Sequence, residues 1–245
     1  MGKFVRHDIR VFDTIEEMSR AAALGLIDRI KQTLARNNLF SLVLAGGQTP
    51  RRLYELLATE FRQAVPWTRM RLYMGDERFV PPDDPRSNYR MIKEAMLSRL
   101  PITDKNVYIM PTSLYTPDQA AISYENILRS HYENPWPRFD MVILGIGSDG
   151  HTASLFPNSP ELAESGKWVL VSQAPEEPKI RLTLSLPAIN NAEAVYFLIT
   201  GKDKSKAFKN AIGEPSPQYP ASLIRPERGR LSWWVDESAS SLLGK

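Results

Sequence analysis

Short apolar segments alternate along the chain with longer amphipathic segments, and this alternation restricts the possible folds more than any other feature. LFSLVLA (residues 39–45) is almost continuously apolar, and so is FDMVILGIG (residues 139–147). Such runs are typical of strands that are buried on both faces of a sheet. Between them lie segments with helical periodicity, such as TIEEMSRAAALGLIDRIKQTLARNN (residues 14–38). The alternation predicts an α/β fold with a doubly wound, mostly parallel sheet and helices on both faces.

Four helices have typical capping residues at their predicted starts. Thr49 is expected to cap the second helix, with Pro50 as its first residue. The predicted caps of the other three helices are Thr14 with Glu17, Ser87, and Thr116 with Gln119.

The length of 245 residues is compatible with one α/β domain or two small ones. The Pro-rich breaks at residues 81–85, 135–137 and 215–226 are too short to be domain linkers, and no internal repeat is present. We therefore expect a single domain over residues 1–245.

Composition excludes several classes of protein. With 31 basic and 28 acidic residues and no run of five like charges, a dedicated nucleic-acid binder is not expected. The absence of cysteine excludes a disulfide scaffold, a cysteine-based zinc site and a cysteine nucleophile. The N-terminal segment lacks the apolar core of a secretory signal, and no apolar run approaches the roughly 18 residues of a membrane span. These features favour a cytoplasmic protein that does not bind membranes.

Polar, glycine-containing segments follow three of the predicted strands. They are GGQTP (residues 46–50), GDER (residues 75–78) and GIGSDGH (residues 145–151). In doubly wound sheets, ligands bind outside the carboxyl ends of the strands. The three segments are therefore predicted to line a common crevice.

The third segment contains the pattern G-x-G-x-x-G, which occurs in dinucleotide-binding loops but is weak evidence alone. Here Pro157 and Pro160 prevent a long helix from following, and the next strand ends in Gln173 rather than a carboxylate. Dinucleotide binding is therefore not expected. Instead, Gly145 and Gly147 would let the backbone approach a ligand closely and would place Asp149 and His151 at the edge of the sheet.

His151 is the strongest candidate among three histidines, because His7 and His131 lie in polar segments and are expected at the surface. Its position alone leaves two interpretations open, a catalytic group or a loop histidine that hydrogen-bonds to backbone. GGQTP is similarly either an anion site at a helix N-terminus or a tight turn with a cap. It is not a Walker loop.

Together, LAGGQTP, MGDERFVPPDDPRSNY, GIGSDGHTASLFP, KIRLTLSLPAIN and FLITGKDK resemble the 6-phosphogluconolactonase family, which is related to the glucosamine-6-phosphate deaminases. The resemblance extends over roughly residues 9–234. It implies a Rossmann-like α/β fold and hydrolysis of 6-phospho-D-glucono-1,5-lactone to 6-phosphogluconate in the oxidative pentose phosphate pathway. It also implies no metal, no organic cofactor and a small phosphorylated sugar lactone as partner. We expect a monomer or a weak homo-oligomer.

The family pattern also implies roles for individual residues. His151 is the general base that activates water, and Asp149 helps to set its geometry. Asp76 corresponds to the catalytic aspartate of the deaminases and is a third catalytic candidate. The residues implied in substrate or phosphate binding are Gly46, Gly47, Thr49, Arg78, Gly145, Gly147, Arg181 and Lys204. Lys202 and Lys206 flank Lys204, so the choice among the three lysines stays open.

Two alternatives accompany the lactonase interpretation. Deaminases of this superfamily carry a glutamate in a DGHxxFNEP-type loop, and this chain has Phe156 at that place. It also has DER where deaminases tend to have DEY. A non-catalytic sugar-phosphate sensor would need a DNA-binding module, and the α/β pattern leaves no recognition helix for one. Both features favour the lactonase.

Overall fold

The structure, a computed structural model, describes residues 8–113 and 116–243. Its strands are, in chain order, β1 (Asp8–Phe12), β2 (Phe40–Leu44), β3 (Met70–Met74), β4 (Asp76–Arg78), β5 (Val107–Tyr108), β6 (Met141–Leu144), β7 (Val169–Gln173), β8 (Ile180–Leu184), β9 (Ala194–Ile199) and β10 (Arg230–Asp236). Its α-helices are α1 (Ile15–Leu34), α2 (Gln48–Ala58), α3 (Asn88–Ala95), α4 (Pro117–Arg129), α5 (Leu186–Asn190), α6 (Ser205–Ala211) and α7 (Glu237–Ser240).

Seven strands form a parallel sheet in the order β1-β10-β9-β6-β2-β3-β5. The chain moves in one direction from β2 through β3 to β5 and then returns to the other side of β2 to form β6. In right-handed crossovers, connections that run toward opposite edges of the sheet place their helices on opposite faces. Both faces of the sheet are therefore covered. The predicted doubly wound fold is confirmed, and its switch point lies between β2 and β6.

A smaller antiparallel sheet, β4-β8-β7, accompanies the large one. The segment that ends in GDER is divided between the two sheets, because the chain forms β3 in the large sheet and β4 in the small one. The two strands are separated by Gly75, whose N–H donates to the carbonyl of Leu44 and whose carbonyl accepts from the N–H of Leu184. Gly75 therefore joins the two sheets directly beside the switch point.

Three of the four predicted helix caps are confirmed by hydrogen bonds. The side chains of Thr14, Ser87 and Thr116 each accept a hydrogen bond from the backbone N–H three residues later. The prediction for Thr49 was wrong, because α2 begins earlier, at Gln48, and its N-cap is Gly47 with φ of 98°. Instead, the Thr49 hydroxyl lies 2.7 Å from that of Thr200, so it joins α2 to the end of β9.

The buried apolar side chains form one cluster that includes residues of both sheets. Leu184 of the small sheet and Trp168, which directly precedes β7, belong to it. So do Phe197 and Trp233 of the large sheet, whose rings stack with centroids 4.1 Å apart. Packing of this kind holds the strand ends in fixed relative positions. Among the described residues, no helix combines the length and apolar character needed to cross a bilayer.

Candidate functional site

The three glycine-containing loops do meet in one crevice, as the sequence predicted. Its volume is about 440 Å³, within the usual range of small-molecule sites. The lining includes nine of the eleven predicted site residues, namely Gly46, Gly47, Thr49, Asp76, Arg78, Gly145, Gly147, His151 and Lys204. Two other hollows, of about 600 and 800 Å³, are larger but contain none of these residues.

Asp149 and His151 form a hydrogen-bonded pair at the end of β6. The His151 Nδ1 atom lies 2.6 Å from Asp149 Oδ1, and the His151 backbone N–H donates to the same oxygen at 3.1 Å. Burial alone would raise the pKa of Asp149, but the hydrogen bonds from His151 hold this pKa below its ordinary value. An ionised Asp149 favours the tautomer with the proton on Nδ1, which leaves Nε2 free as a base.

Backbone geometry brings this pair together. A Cβ atom on Gly147 would lie 2.1 Å from His151 Nδ1 and 2.5 Å from Asp149 Oδ1, so only glycine fits there. Gly150 has φ of 91°, and its N–H donates to the carbonyl of Gly147 at 3.0 Å. The Gly147 N–H in turn donates to the carbonyl of His151 at 2.8 Å. These two N–H groups are therefore occupied within the loop.

The ring of His151 packs against Phe156, with centroids 5.0 Å apart. Phe156 is 8% exposed and occupies the place where the deaminase pattern has a glutamate. An apolar ring therefore covers one side of the imidazole where a second carboxylate would otherwise stand.

Asp76 is a second, more deeply buried carboxylate at the crevice. Its Oδ2 accepts a hydrogen bond from the Ser154 hydroxyl at 2.7 Å, and its Oδ1 accepts one from the Asn88 amide at 3.2 Å. Sequence reasoning assigned no role to Asn88 or Ser154. Each lies beside a recognised feature, Asn88 directly after the predicted cap Ser87 and Ser154 inside DGHTAS, but neither position alone indicates contact with Asp76.

The cations of the site lie at two places. Lys204 lines the crevice at the end of β9, whereas Lys202 and Lys206 are exposed and lie outside its lining. The ammonium group of Lys204 is 3.1 Å from the exposed carboxylate of Asp203. The geometry therefore favours Lys204 among the three candidate lysines.

Arg78 and Arg181 are paired across β4 and β8. Arg78 lines the crevice, whereas Arg181 lies beside Arg78 and outside the lining. Burial and the neighbouring guanidinium of Arg78 lower the pKa of Arg181. The Nε atoms of both arginines are buried and have no hydrogen-bond partner among the described residues. Two adjacent guanidinium groups therefore concentrate positive charge beside the crevice, which favours an anionic ligand.

The N-terminus of α2 adds backbone donors to the crevice. Gly47 caps this helix without a side-chain hydrogen bond, and the first N–H groups of a helix have no intrahelical partner. The helix dipole adds partial positive charge at the same end. This geometry supports the anion-site interpretation of GGQTP over the simple turn.

His131 differs from the surface position that its polar segment suggested. Its Nδ1 lies 2.9 Å from the hydroxyl of Tyr73, and its ring packs against Tyr108 with centroids 4.6 Å apart. Burial lowers its pKa. The apolar partners come from β3 and β5, which the local sequence around His131 does not reveal. His7 lies outside the described residues.

Among the described residues, no group of three or more His, Asp or Glu side chains is arranged to hold a metal ion. Asp149 and His151 form a pair without a third ligand of this kind. The groups that line the crevice, an imidazole bonded to a carboxylate and two cations, are of the kind that serves acid–base chemistry and anion binding.

Comparisons with known proteins agree with this geometry. The family described as glucosamine-6-phosphate isomerases/6-phosphogluconolactonase matches residues 13–233. A 6-phosphogluconolactonase of Synechocystis is 40% identical over 227 residues, covering 91% of this chain and 92% of the relative. A 6-phosphogluconolactonase of Rattus norvegicus is 36% identical over 96% of this chain and 93% of its own.

A solved structure shows the same similarity in three dimensions. The 6-phosphogluconolactonase of Trypanosoma brucei superposes with a TM-score of 0.87 at 31% identity, covering 98% of this chain and all of the other. The sequence similarity, the shared fold and the crevice between β2, β3 and β6 lead to one conclusion. The chain belongs to the glucosamine-6-phosphate isomerase/6-phosphogluconolactonase family.

Proposed function

We propose that the protein hydrolyses 6-phospho-D-glucono-1,5-lactone to 6-phospho-D-gluconate, the lactonase step of the oxidative pentose phosphate pathway. The observation that carries this assignment is the pairing of a His–Asp base with several anion-binding groups in one crevice. Relatives with the 6-phosphogluconolactonase name, one of them 40% identical over 91% of this chain, support the same reaction.

In the proposed mechanism, His151 activates the attacking water. With Nδ1 hydrogen-bonded to Asp149, Nε2 accepts the water proton as the oxygen attacks the lactone carbonyl. The tetrahedral intermediate then collapses, the bond to the ring oxygen breaks, and the proton passes from Nε2 to that oxygen. Because the N–H groups of Gly147 and Gly150 are occupied, oxyanion stabilisation is assigned to other donors of the crevice.

The phosphate of the substrate is assigned to the cationic side of the crevice. The N-terminus of α2 after Gly47, together with Arg78 and Lys204, offers backbone donors and two cations that line this crevice. Arg181 supports Arg78 from the neighbouring strand and adds positive charge. Binding energy from a phosphate remote from the reacting carbon fixes the carbonyl against the base.

The competing deaminase or isomerase function is less compatible with this site. Ring opening of an amino-sugar phosphate would use the carboxylate that the deaminase pattern places where Phe156 packs on His151. A non-catalytic sensor would have no use for an oriented His–Asp pair. Both features favour the lactonase.

Further properties belong to this proposal. We propose one domain over residues 1–245, supported by the shared apolar cluster. We also propose a monomer or weak homo-oligomer in the cytoplasm that needs neither metal nor organic cofactor and binds no nucleic acid.

The function is tested by following acid release from freshly prepared lactone at constant pH, with spontaneous hydrolysis subtracted. The lactonase assignment predicts acceleration with the phosphorylated lactone and little with unphosphorylated gluconolactone. Ammonia release from glucosamine 6-phosphate without lactone hydrolysis would instead establish the deaminase.

A further inference from the structure

A buried glutamate lies between two residues of the crevice. Glu77 is the central residue of β4, with Asp76 before it and Arg78 after it. Side chains alternate along a strand, so Asp76 and Arg78 face the crevice whereas Glu77 points to the opposite side. Glu77 is 2% exposed, and no ion pair involves it among the described residues.

Both carboxylate oxygens of Glu77 accept two hydrogen bonds each. Oε1 accepts from the backbone N–H of Arg78 at 2.8 Å and of Asn88 at 2.7 Å. Oε2 accepts from the backbone N–H of Tyr89 at 2.7 Å and the hydroxyl of Ser87 at 3.1 Å. Burial raises the pKa of Glu77, and the three backbone N–H groups oppose that rise. The ionised form therefore depends on this set of donors.

Three of these donors belong to the start of α3, where Ser87 is the N-cap and Asn88 the first residue. A carboxylate at this end of a helix is stabilised by unpaired N–H groups and by the helix dipole. These hydrogen bonds also fix the N-terminus of α3 against β4.

Asn88 transmits this position to the crevice. Its side-chain amide donates to the carbonyl oxygen of Asp76 at 3.0 Å and to the Asp76 carboxylate at 3.2 Å. Its Oδ1 lies 2.0 Å from the place that a Cβ atom on Gly46 would occupy, so Asn88 also packs closely on the GGQTP loop. Glu77, Asn88 and Asp76 thus form a continuous chain of contacts from the interior to the crevice.

We propose that Glu77 is a positioning residue, which holds Asn88, and through it Asp76 and the GGQTP loop, in the arrangement needed for lactone hydrolysis. This inference rests on the proposed function for its kinetic readout. Glu77 does not line the crevice, and beyond its own neighbours Asp76 and Arg78 in β4, its link to the crevice is Asn88.

The test is a double-mutant cycle with Glu77→Gln and Asn88→Ala. In either orientation of the glutamine amide, its NH₂ group takes the place of a Glu77 oxygen and faces groups that donate hydrogen bonds to that oxygen in the wild type. Displacement by about 1 Å can cost on the order of 10²-fold in rate, and we expect a fall in kcat of that order for Glu77→Gln. If Glu77 acts through Asn88, adding Glu77→Gln to Asn88→Ala should reduce kcat little further.

Glu125→Gln is the matched control. Glu125 also accepts two backbone N–H groups, those of Trp168 and Val169, but it lies outside the crevice. Its substitution should lower Tm with unchanged kcat. Unchanged kcat in folded Glu77→Gln, or losses that multiply in the double mutant, would overturn the proposal. If Glu77→Gln does not fold, wild-type kcat in Asn88→Ala alone would overturn it.

A crystal structure of Glu77→Gln tests the positioning role independently of the proposed lactonase function, because the structure can be determined without substrate. Loss of the Asn88–Asp76 hydrogen bonds is expected even if the wild-type protein proves inactive on the lactone. Retention of both hydrogen bonds would refute the positioning role.

Discussion

His151→Asn is the substitution that most directly tests the proposed mechanism. Asparagine keeps a polar side chain in the loop but removes the titrating group. Among the described residues, the His151 ring hydrogen-bonds to Asp149 and packs on Phe156, and its side chain remains about 35% exposed. Because the ring is partly exposed and makes few contacts, the fold should survive its removal.

The expected effects of His151→Asn on KM and kcat follow from the contacts of the His151 ring. No hydrogen bond joins His151 to Gly47, Arg78 or Lys204 among the described residues, so phosphate binding and KM should change little. Loss of a general base typically lowers the rate about 10²–10⁴-fold, which corresponds to about 3–5 kcal/mol in the barrier. This loss should appear in kcat.

The assay is acid release at constant pH over a range of pH values, with uncatalysed lactone hydrolysis subtracted at each. The wild-type kcat profile should fall on the acidic side as the base becomes protonated, and His151→Asn should remove that limb. A higher KM with an unchanged profile would mean that His151 only orients substrate. Near wild-type kcat would remove His151 from the mechanism and make Asp76 the next candidate.

Three other predictions test the anion site, the glycine loop and metal independence. Arg181→Ala should raise KM for the phosphorylated lactone, but by less than the tenfold to hundredfold of a direct charge-assisted contact of roughly 1.5–3 kcal/mol, because Arg181 adds its charge beside Arg78 from outside the crevice lining; unchanged kcat/KM would contradict the assignment, and turnover of unphosphorylated gluconolactone serves as the control. Gly46→Ala should displace the Asn88 side chain, whose Oδ1 lies 2.0 Å from the new Cβ position, and lower kcat in steady-state assays; Gly166→Ala, with its nearest contact at 3.4 Å, should match wild type. Activity should survive exhaustive EDTA treatment and dialysis, and restoration of lost activity by zinc or magnesium would identify Asp149 and His151 as ligands instead.

Much of the architecture was predictable because its determinants are local. Continuous apolar runs distinguish strands buried on both faces, and most capping residues act within three positions of the helix start. The meeting of GGQTP, GDER and GIGSDGH also followed from the sequence, because parallel strands present their carboxyl ends at one edge. The crevice and the part of its lining that these three loops supply were therefore predictable from the sequence.

The tertiary structure alone decided the features that depend on pairing between distant segments. The register of β4 with β8 places Arg78 beside Arg181, and no local pattern encodes that register. Glu77 lies in the polar segment GDER, yet donors supplied by α3 make its burial possible. Gly47 rather than Thr49 is the cap of α2, and the Thr49 hydroxyl contacts Thr200, 151 residues away, instead. Sequence periodicity reports the environment of each segment, whereas contacts between segments form only when the chain packs.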